Sequence, residues 1–316
     1  MKKQKGLSLI ELMISILIGS ILLLGILQVY STNRQTSNLL NGFAEVQENG
    51  RLAIELMSRD IRNADSWGCL PDASAIANNL DTASPNYNPL IHDFSMGGIQ
   101  GTNNASSQTV SGKAVVDGTD ILIVRGSAGS GARVEAPEMP TVSATVHINT
   151  GTNIQPDDVL LISDCQAGDI FRNTTGNTPT SGEVGHNTGA GALKNVDGSF
   201  EKSYGLDARV LVPYVKTFFI ANGANGTPSL WVDKDGTPTE LIPGVEDMQV
   251  LYGEDTNGDR LIDDWDSANN IVDMNTVLSV RVSLIVRSID AVGTDETDKR
   301  LRKTYTVTTN IRNRML

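Results

Sequence analysis

The sequence predicts an α+β protein, with one long N-terminal α-helix packed on an antiparallel β-sheet domain. Three observations carry this. Leu7 to Tyr30 is a run of 24 residues with a single charge, Glu11. From Leu39 to Ile61, apolar residues recur at three- and four-residue steps, the period of one helical face. In the last third, apolar and polar side chains alternate between turn-forming clusters, the period of half-buried strands.

The N-terminal run comes first. About 20 apolar residues suffice to cross a bilayer as a helix. Lys2, Lys3 and Lys5 precede the run and no lysine or arginine lies within it. That bias places the N-terminus in the cytoplasm and the remainder outside. Glu11 is costly in lipid and calls for a partner. A secretory signal would have a shorter apolar core and a small-x-small cleavage site, and no Ala-x-Ala lies between Leu17 and Thr32. A plain membrane anchor explains the length but not the acid.

The helix is expected to continue beyond Tyr30. Leu39, Leu40, Phe43, Val46, Ile54, Met57 and Ile61 form its apolar face, and no proline precedes Pro71. Gly42 and Gly50 each weaken it by about 1 kcal/mol. A helix from Leu7 to about Ala64 spans ~87 Å at about 1.5 Å per residue. Residues 7–30 form the membrane or filament-core half and residues 31–64 an amphipathic continuation. A break near Ser31-Thr32-Asn33 is the alternative.

Residues 65–316 read as an exported, β-rich globular domain. Aromatic content is only 5%, and Gly, Ser, Thr, Asn and Asp are plentiful, the composition of long loops and short strands. Residues 72–118 and 172–198 read as loops. Strands are expected near 121–125, 144–148, 157–165, 214–221, 229–232, 245–252, 277–287 and 303–311. The formal charge is −12, and it falls by three more without Lys2, Lys3 and Lys5. Such acidity opposes non-specific nucleic-acid binding, which Lys and Arg drive against phosphate. Cys69 and Cys165 are the two cysteines. In an oxidising compartment an even pair reads as a disulfide; two buried free thiols are the alternative.

Lys5-Gly6-Leu7-Ser8-Leu9-Ile10-Glu11-Leu12 resembles the class III leader of type IV pilins and type II secretion pseudopilins. The resemblance implies that residues 1–6 are a leader peptide. A prepilin peptidase would cut between Gly6 and Leu7 and methylate the new amino terminus of Leu7. The family usually has Phe there. The resemblance further implies that Glu11 is a subunit assembly contact, paired with the α-amino group of a neighbour's Leu7. Three later stretches, Gly118–Leu122, Ser163–Phe171 and Pro243–Gly253, together with the end Thr304–Arg314, are similar to PilW-type minor pilins. Pro243–Gly253 is also similar to the J-type pseudopilin of type II secretion. These likenesses imply a minor pilin stored in the inner membrane with its globular domain in the periplasm, then built into a pilus at the cell surface. It would prime or cap the filament near the tip, in the service of adhesion and motility. The implied partners are other minor pilins, the major pilin, the prepilin peptidase, the assembly platform and a tip adhesin. A J-type pseudopilin and a calcium-dependent surface binding module are the alternatives.

Asp255, Asn257, Asp259, Asp263 and Asp266 follow much of a calcium-loop spacing. Arg260 stands where that loop has Gly, and Asp266 where it has a bidentate Glu. An acidic hairpin turning at Asn257-Gly258 fits the same residues. Calcium is the one cofactor the spacing admits. No catalytic residues are assigned and no enzyme is expected. His92, His147 and His186 lie in dissimilar contexts, without a nucleophile motif or phosphate-cradling loop. Lys299-Arg300-Leu-Arg302-Lys303 reads as a solvated strand entrance.

Overall fold

The computed structural model describes residues 8–71, 73–223, 225–293 and 298–315, apart from the side chain of Pro179. The chain divides into two compact units, residues 1–48 with 287–303, and residues 49–286 with 304–316.

Helix α1 (Leu9–Arg62) is unbroken through Ser31–Asn33. No proline interrupts it, and Thr36 Oγ1 returns its proton to Thr32 O at 2.9 Å, so its hydroxyl stays on the helix. The buried face differs from the expected one. Leu40 and Phe43 are exposed, and the buried positions are Gly42, Val46, Gly50, Ala53, Met57 and Ile61. Small residues mark this face because neighbouring chain approaches the helix backbone closely.

In the first unit, Leu9 to Tyr30 present every apolar side chain uncovered. The same unit holds the end of a hairpin. Ser288 N–H donates to Leu301 O at 2.9 Å. Arg302 grips Asp298 through Nη1 and Nη2 at 2.9 and 2.6 Å. These bonds, with burial working against them, hold the Asp298 carboxyl down at about 2. Arg300 Nη1 donates to Ser288 O at 2.8 Å and also to Ile289 O. The expected basic strand entrance is thus in part an internal clamp. A Cβ on Gly42 would lie 2.6 Å from Val292 Cγ2.

The second unit begins with β1 (Ile76–Asn78), α2 (Pro89–His92), β2 (Ile99–Thr102), β3 (Thr109–Val110) and β4 (Lys113–Ala114). β5 (Ile121–Arg133), β6 (Val146–His147), β7 (Val159–Ser163) and β8 (Gly168–Arg172) follow. Then come α3 (Thr178–Ser181), β9 (Glu183–Val184), β10 (Arg209–Asn222), β11 (Pro228–Lys234) and β12 (Thr237–Pro243). The last strands are β13 (Val245–Glu254), β14 (Asp264–Asp266), β15 (Val277–Arg287) and β16 (Arg302–Asn310).

The larger sheet runs β1-β8-β7-β10-β11-β12, with β5 on β10 and β2 on β5. Its pairs are antiparallel except β1 with β8. Both faces are buried. Leu161, Ile170 and Leu211 join Trp67, Phe94 and Phe219 in one core. Leu160, Ile162, Phe171 and Val210 join Val184, Phe200 and Tyr204 in the other. Continuous apolar runs such as Ile121–Val124 are the signature of strands covered on both sides. The second sheet runs β14-β13-β15-β16. Asp120 bridges β5 to β13: its N–H donates to Met248 O at 2.8 Å, and its carboxylate accepts Val250 N–H at 2.7 Å.

Two expectations are corrected here. Residues 72–118 and 172–198 are not plain loops, since they carry β1–β4, α2, α3 and β9. They are ordered because they cover the sheet faces. Buried Asn195 clips one of them in place, donating to Arg172 O, His186 O and Asn187 O at 2.9, 3.2 and 2.8 Å. Strand β12 was not anticipated, because Pro238 and Pro243 argue against a central strand. It lies at the sheet edge, where proline is tolerated.

Cys69 and Cys165 form a disulfide with Cα atoms 4.8 Å apart and a sequence separation of 96. Closing a loop of that length removes on the order of 4–5 kcal/mol of unfolded-chain entropy in the simplest model.

Candidate assembly surfaces

The first candidate surface is the start of α1. Gly6 and Leu7, the expected cleavage and methylation positions, lie outside the described residues. Glu11 lies within them. Ser8 N–H donates to Glu11 Oε2 at 3.0 Å, and Glu11 N–H donates to Ser8 Oγ at 3.3 Å. This reciprocal pair is a capping box, which satisfies two of the N–H groups left open at a helix start. The acid therefore has a local role that the reading from sequence missed. The signal was present, because Ser8-x-x-Glu11 directly precedes an apolar run. Beyond the box, α1 has an apolar stretch long enough to span a membrane, and none of it is buried by protein. A helix apolar on all sides needs an apolar surrounding, either lipid or other helices.

The second candidate is the hairpin loop between β13 and β14. Asp255 Oδ1 accepts the N–H groups of Asn257 and Gly258 at 3.2 and 2.7 Å, and Oδ2 accepts that of Arg260 at 2.8 Å. Burial alone would raise the Asp255 carboxyl, but these donors outweigh it and hold it below its usual value. Asn257 Oδ1 accepts Asp259 N–H, and Asp259 Oδ1 accepts Leu261 N–H, both at 2.8 Å. Asp263 takes the N–H and hydroxyl of Thr256, both at 2.9 Å. Asp266 sits in β14 and accepts from Asn270 at 2.8 Å. Arg260 adopts φ +65°, the left-handed turn for which the calcium-loop pattern keeps Gly. Among the described residues, no three His, Cys, Asp or Glu side chains gather as a metal-holding group. Asp255, Asn257, Asp259 and Asp263 are thus turned onto N–H groups of their own loop, and Asp266 onto the Asn270 side chain, rather than onto a common centre.

Beside this loop lies an open cleft of about 600 Å³, lined by Asp65, Asp255, Arg260, Asn275 and Arg314 among others. Buried Arg314 pairs with buried Asp65 at 2.5 Å and donates to Met274 O and Val277 O at 2.5 and 2.8 Å. Asp65 also accepts Trp67 Nε1 at 2.8 Å. This pair ties the end of the chain to the segment just after α1, and nothing in the local sequence pattern announces it.

His186 stacks on Phe200 with centroids 3.8 Å apart and bonds Ala144 O at 2.9 Å. His92 Nδ1 accepts Asn88 N–H at 3.0 Å. His147 pairs with Glu183 across β6 and β9.

Comparison with known proteins bears on both ends of the chain. The model of type IV pilus-assembly protein W matches residues 217–313, from β10 to the C-terminal turn. The prokaryotic N-terminal methylation motif matches residues 1–27. These two matches, at opposite ends of the chain, support a type IV pilin-like minor pilin. No curated protein and no solved structure matches it. The uncovered half of α1 fits a membrane-anchored, structural pilin-type protein, the kind that the methylation motif and the pilus-assembly match point to.

Proposed function

We propose that this pilin is cut after Gly6, methylated at Leu7, and held in the inner membrane with its globular domain in the periplasm. It is then built into a type IV pilus near the tip. There it primes assembly together with other minor pilins, meets the major pilin, and supports a tip adhesin. The observation that carries this reading is the uncovered apolar helix Leu9–Tyr30 behind a methylation motif, joined on one chain to a PilW-type C-terminal region.

Glu11 has two roles in this reading. It caps its own helix, and its charge meets the amino terminus of a neighbouring subunit. A buried ion pair of this kind contributes register more than stability, because desolvation offsets its attraction. Two substitutions separate the roles. Glu11→Gln keeps an acceptor for the cap and loses the charge, whereas Glu11→Ala loses both. Both variants are expected to insert in the membrane and to be depleted from sheared pili. Normal incorporation of Glu11→Gln would refute the charge pairing. Mass spectrometry of the mature amino terminus tests processing: an uncut Met1 terminus, or an unmethylated Leu7, would sink that part.

A further inference from the structure

We infer that the outer edge of β16, residues 304–310, is a docking site for an extended segment of another pilus subunit, which adds to the sheet as a further strand. The inference rests on the pilin reading above and names the kind of contact through which assembly is made.

The direction of the β16 backbone groups follows from its bonds to β15. Ile311 N–H donates to Leu278 O at 2.9 Å. Ser279 meets Asn310 at 2.5 Å, Arg281 meets Thr308 at 3.2 Å, and Ser283 meets Thr306 at 3.0 Å. These contacts share one register, so no bulge interrupts the pair. Hydrogen-bonded and non-hydrogen-bonded pairs alternate in an antiparallel ladder. The ladder bonds to β15 therefore fall on odd-numbered residues. The N–H and C=O groups of Thr304, Thr306, Thr308 and Asn310 point the other way. β16 is the last strand of its sheet, and among the described residues no hydrogen bond reaches those backbone groups from outside it.

An open edge is a template for another chain, and folded proteins usually blunt it with short strands, prolines or bulges. The other sheet edges here are blunted. β1 and β14 have three residues and β2 has four. β12 carries Pro238 and Pro243, and its pairing with β11 shifts register at Leu230/Trp231. β16 has nine residues, without proline or glycine, and its charges, Arg302 and Lys303, are confined to its first two positions.

Side chains along the edge indicate the occupant. Thr304, Thr306, Thr308 and Asn310 are exposed on one face, and Tyr305 and Val307 remain half-buried on the other. No charged residue lies between Thr304 and Asn310, so charge does not select the partner. The segment that fits alternates small polar side chains, lying beside the threonines, with apolar ones that finish covering Tyr305 and Val307. Main-chain bonds supply affinity in strand addition, and alternate side chains supply specificity.

The test uses the full chain in its own membrane. Thr306→Pro removes an outward N–H without removing a ladder bond, and proline is tolerated on edge strands. Thr308→Glu places a charge on the edge while keeping an acceptor for Arg281 Nε. Both variants are expected to keep wild-type membrane levels and Tm while their amount in sheared pili falls about tenfold or more, the equivalent of at least about 1.4 kcal/mol of binding. In the wild type, the amides of 304, 306, 308 and 310 are expected to exchange rapidly in detergent-purified protein and about tenfold more slowly in pili. Equal exchange in the two states, or wild-type incorporation of both variants, overturns the inference and leaves the pilin reading standing. Absence of the wild-type chain from pili overturns both. Should Thr306→Pro fail to fold, Thr308→Glu and the exchange rates decide.

Discussion

Gly50 has the opposite meaning in the folded chain from the one it has in isolation. By propensity it weakens α1, and Ala in an exposed helix interior would gain about 1 kcal/mol. In the fold, Gly50 is buried, and a Cβ there would overlap the ring of Tyr305. Asn49 beside it donates to Pro243 O at 3.2 Å, and Asp60 further along pairs with Lys216 at 2.7 Å. The helix is therefore held close enough to its neighbours that no side chain fits at 50. Gly50→Ala is expected to destabilise the protein by about 1–3 kcal/mol, the usual cost of overpacking, read as a lower Tm with unchanged helix content. A raised Tm would show that Tyr305 moves aside freely. Glu11 carries the same lesson. Its place in an apolar run suggests only a partner elsewhere, whereas the coordinates show that Ser8 already uses it.

Among the elements, the β13–β14 hairpin is where spacing and geometry part. The residue types fit a calcium loop at most positions, and even the left-handed turn is present at Arg260. Yet each carboxylate is turned onto N–H groups of its own loop or onto a neighbouring side chain. Binding calcium would require several of these bonds to be given up together. Calcium at millimolar levels is therefore expected to leave the Tm of the full-length pilin in detergent unchanged relative to chelator. A clear upward shift would show that the loop reorganises around the ion. The strands tell a simpler story. β15 shows the alternation expected for Val280, Val282, Leu284 and Val286, all fully buried, against partly exposed Arg281, Ser283 and Ile285. β6 is shorter than the alternation around His147 suggested, and β10 is longer than the apolar run 214–221. Hydrogen-bonded partners, which composition does not reveal, set where a strand ends.

For the molecule as a whole, one buried imidazole and one half-buried one link stability to pH. Burial pushes His186 below its usual 6.5, against smaller opposing effects of the Ala144 carbonyl, Asp169 and Asp197. Burial also lowers His92. Below pH 6.5 the unfolded chain binds protons that these folded imidazoles refuse. Stability contributed by their neutral forms is therefore present above that value and lost as pH falls below it. Asp120 and Asp235, raised by burial, act in the opposite sense, gaining folded-state protons in the carboxylate range. The Tm is expected to fall between about pH 7 and about pH 5, with a shallower fall in His186→Gln. An identical slope in the variant would remove His186 from the account.

The long helix, its membrane-length apolar half, the cysteine pair and the alternating strands were legible in the amino-acid order, because each is a local period or a composition bias. The buried face of α1 was legible only in part: period marked Val46, Met57 and Ile61, while Gly42 and Gly50 join that face through close approach of distant residues. The segments 72–118 and 172–198 look like loops because their own residues bury little. They become ordered by closing over a sheet whose two faces both need cover, with Asn195 holding carbonyls that no local pattern predicts. The open edge of β16, the Asp65–Arg314 pair and the self-satisfied acidic hairpin belong to the same class. Local sequence sets which elements form, whereas which backbone and polar groups end up satisfied depends on residues far apart in the chain.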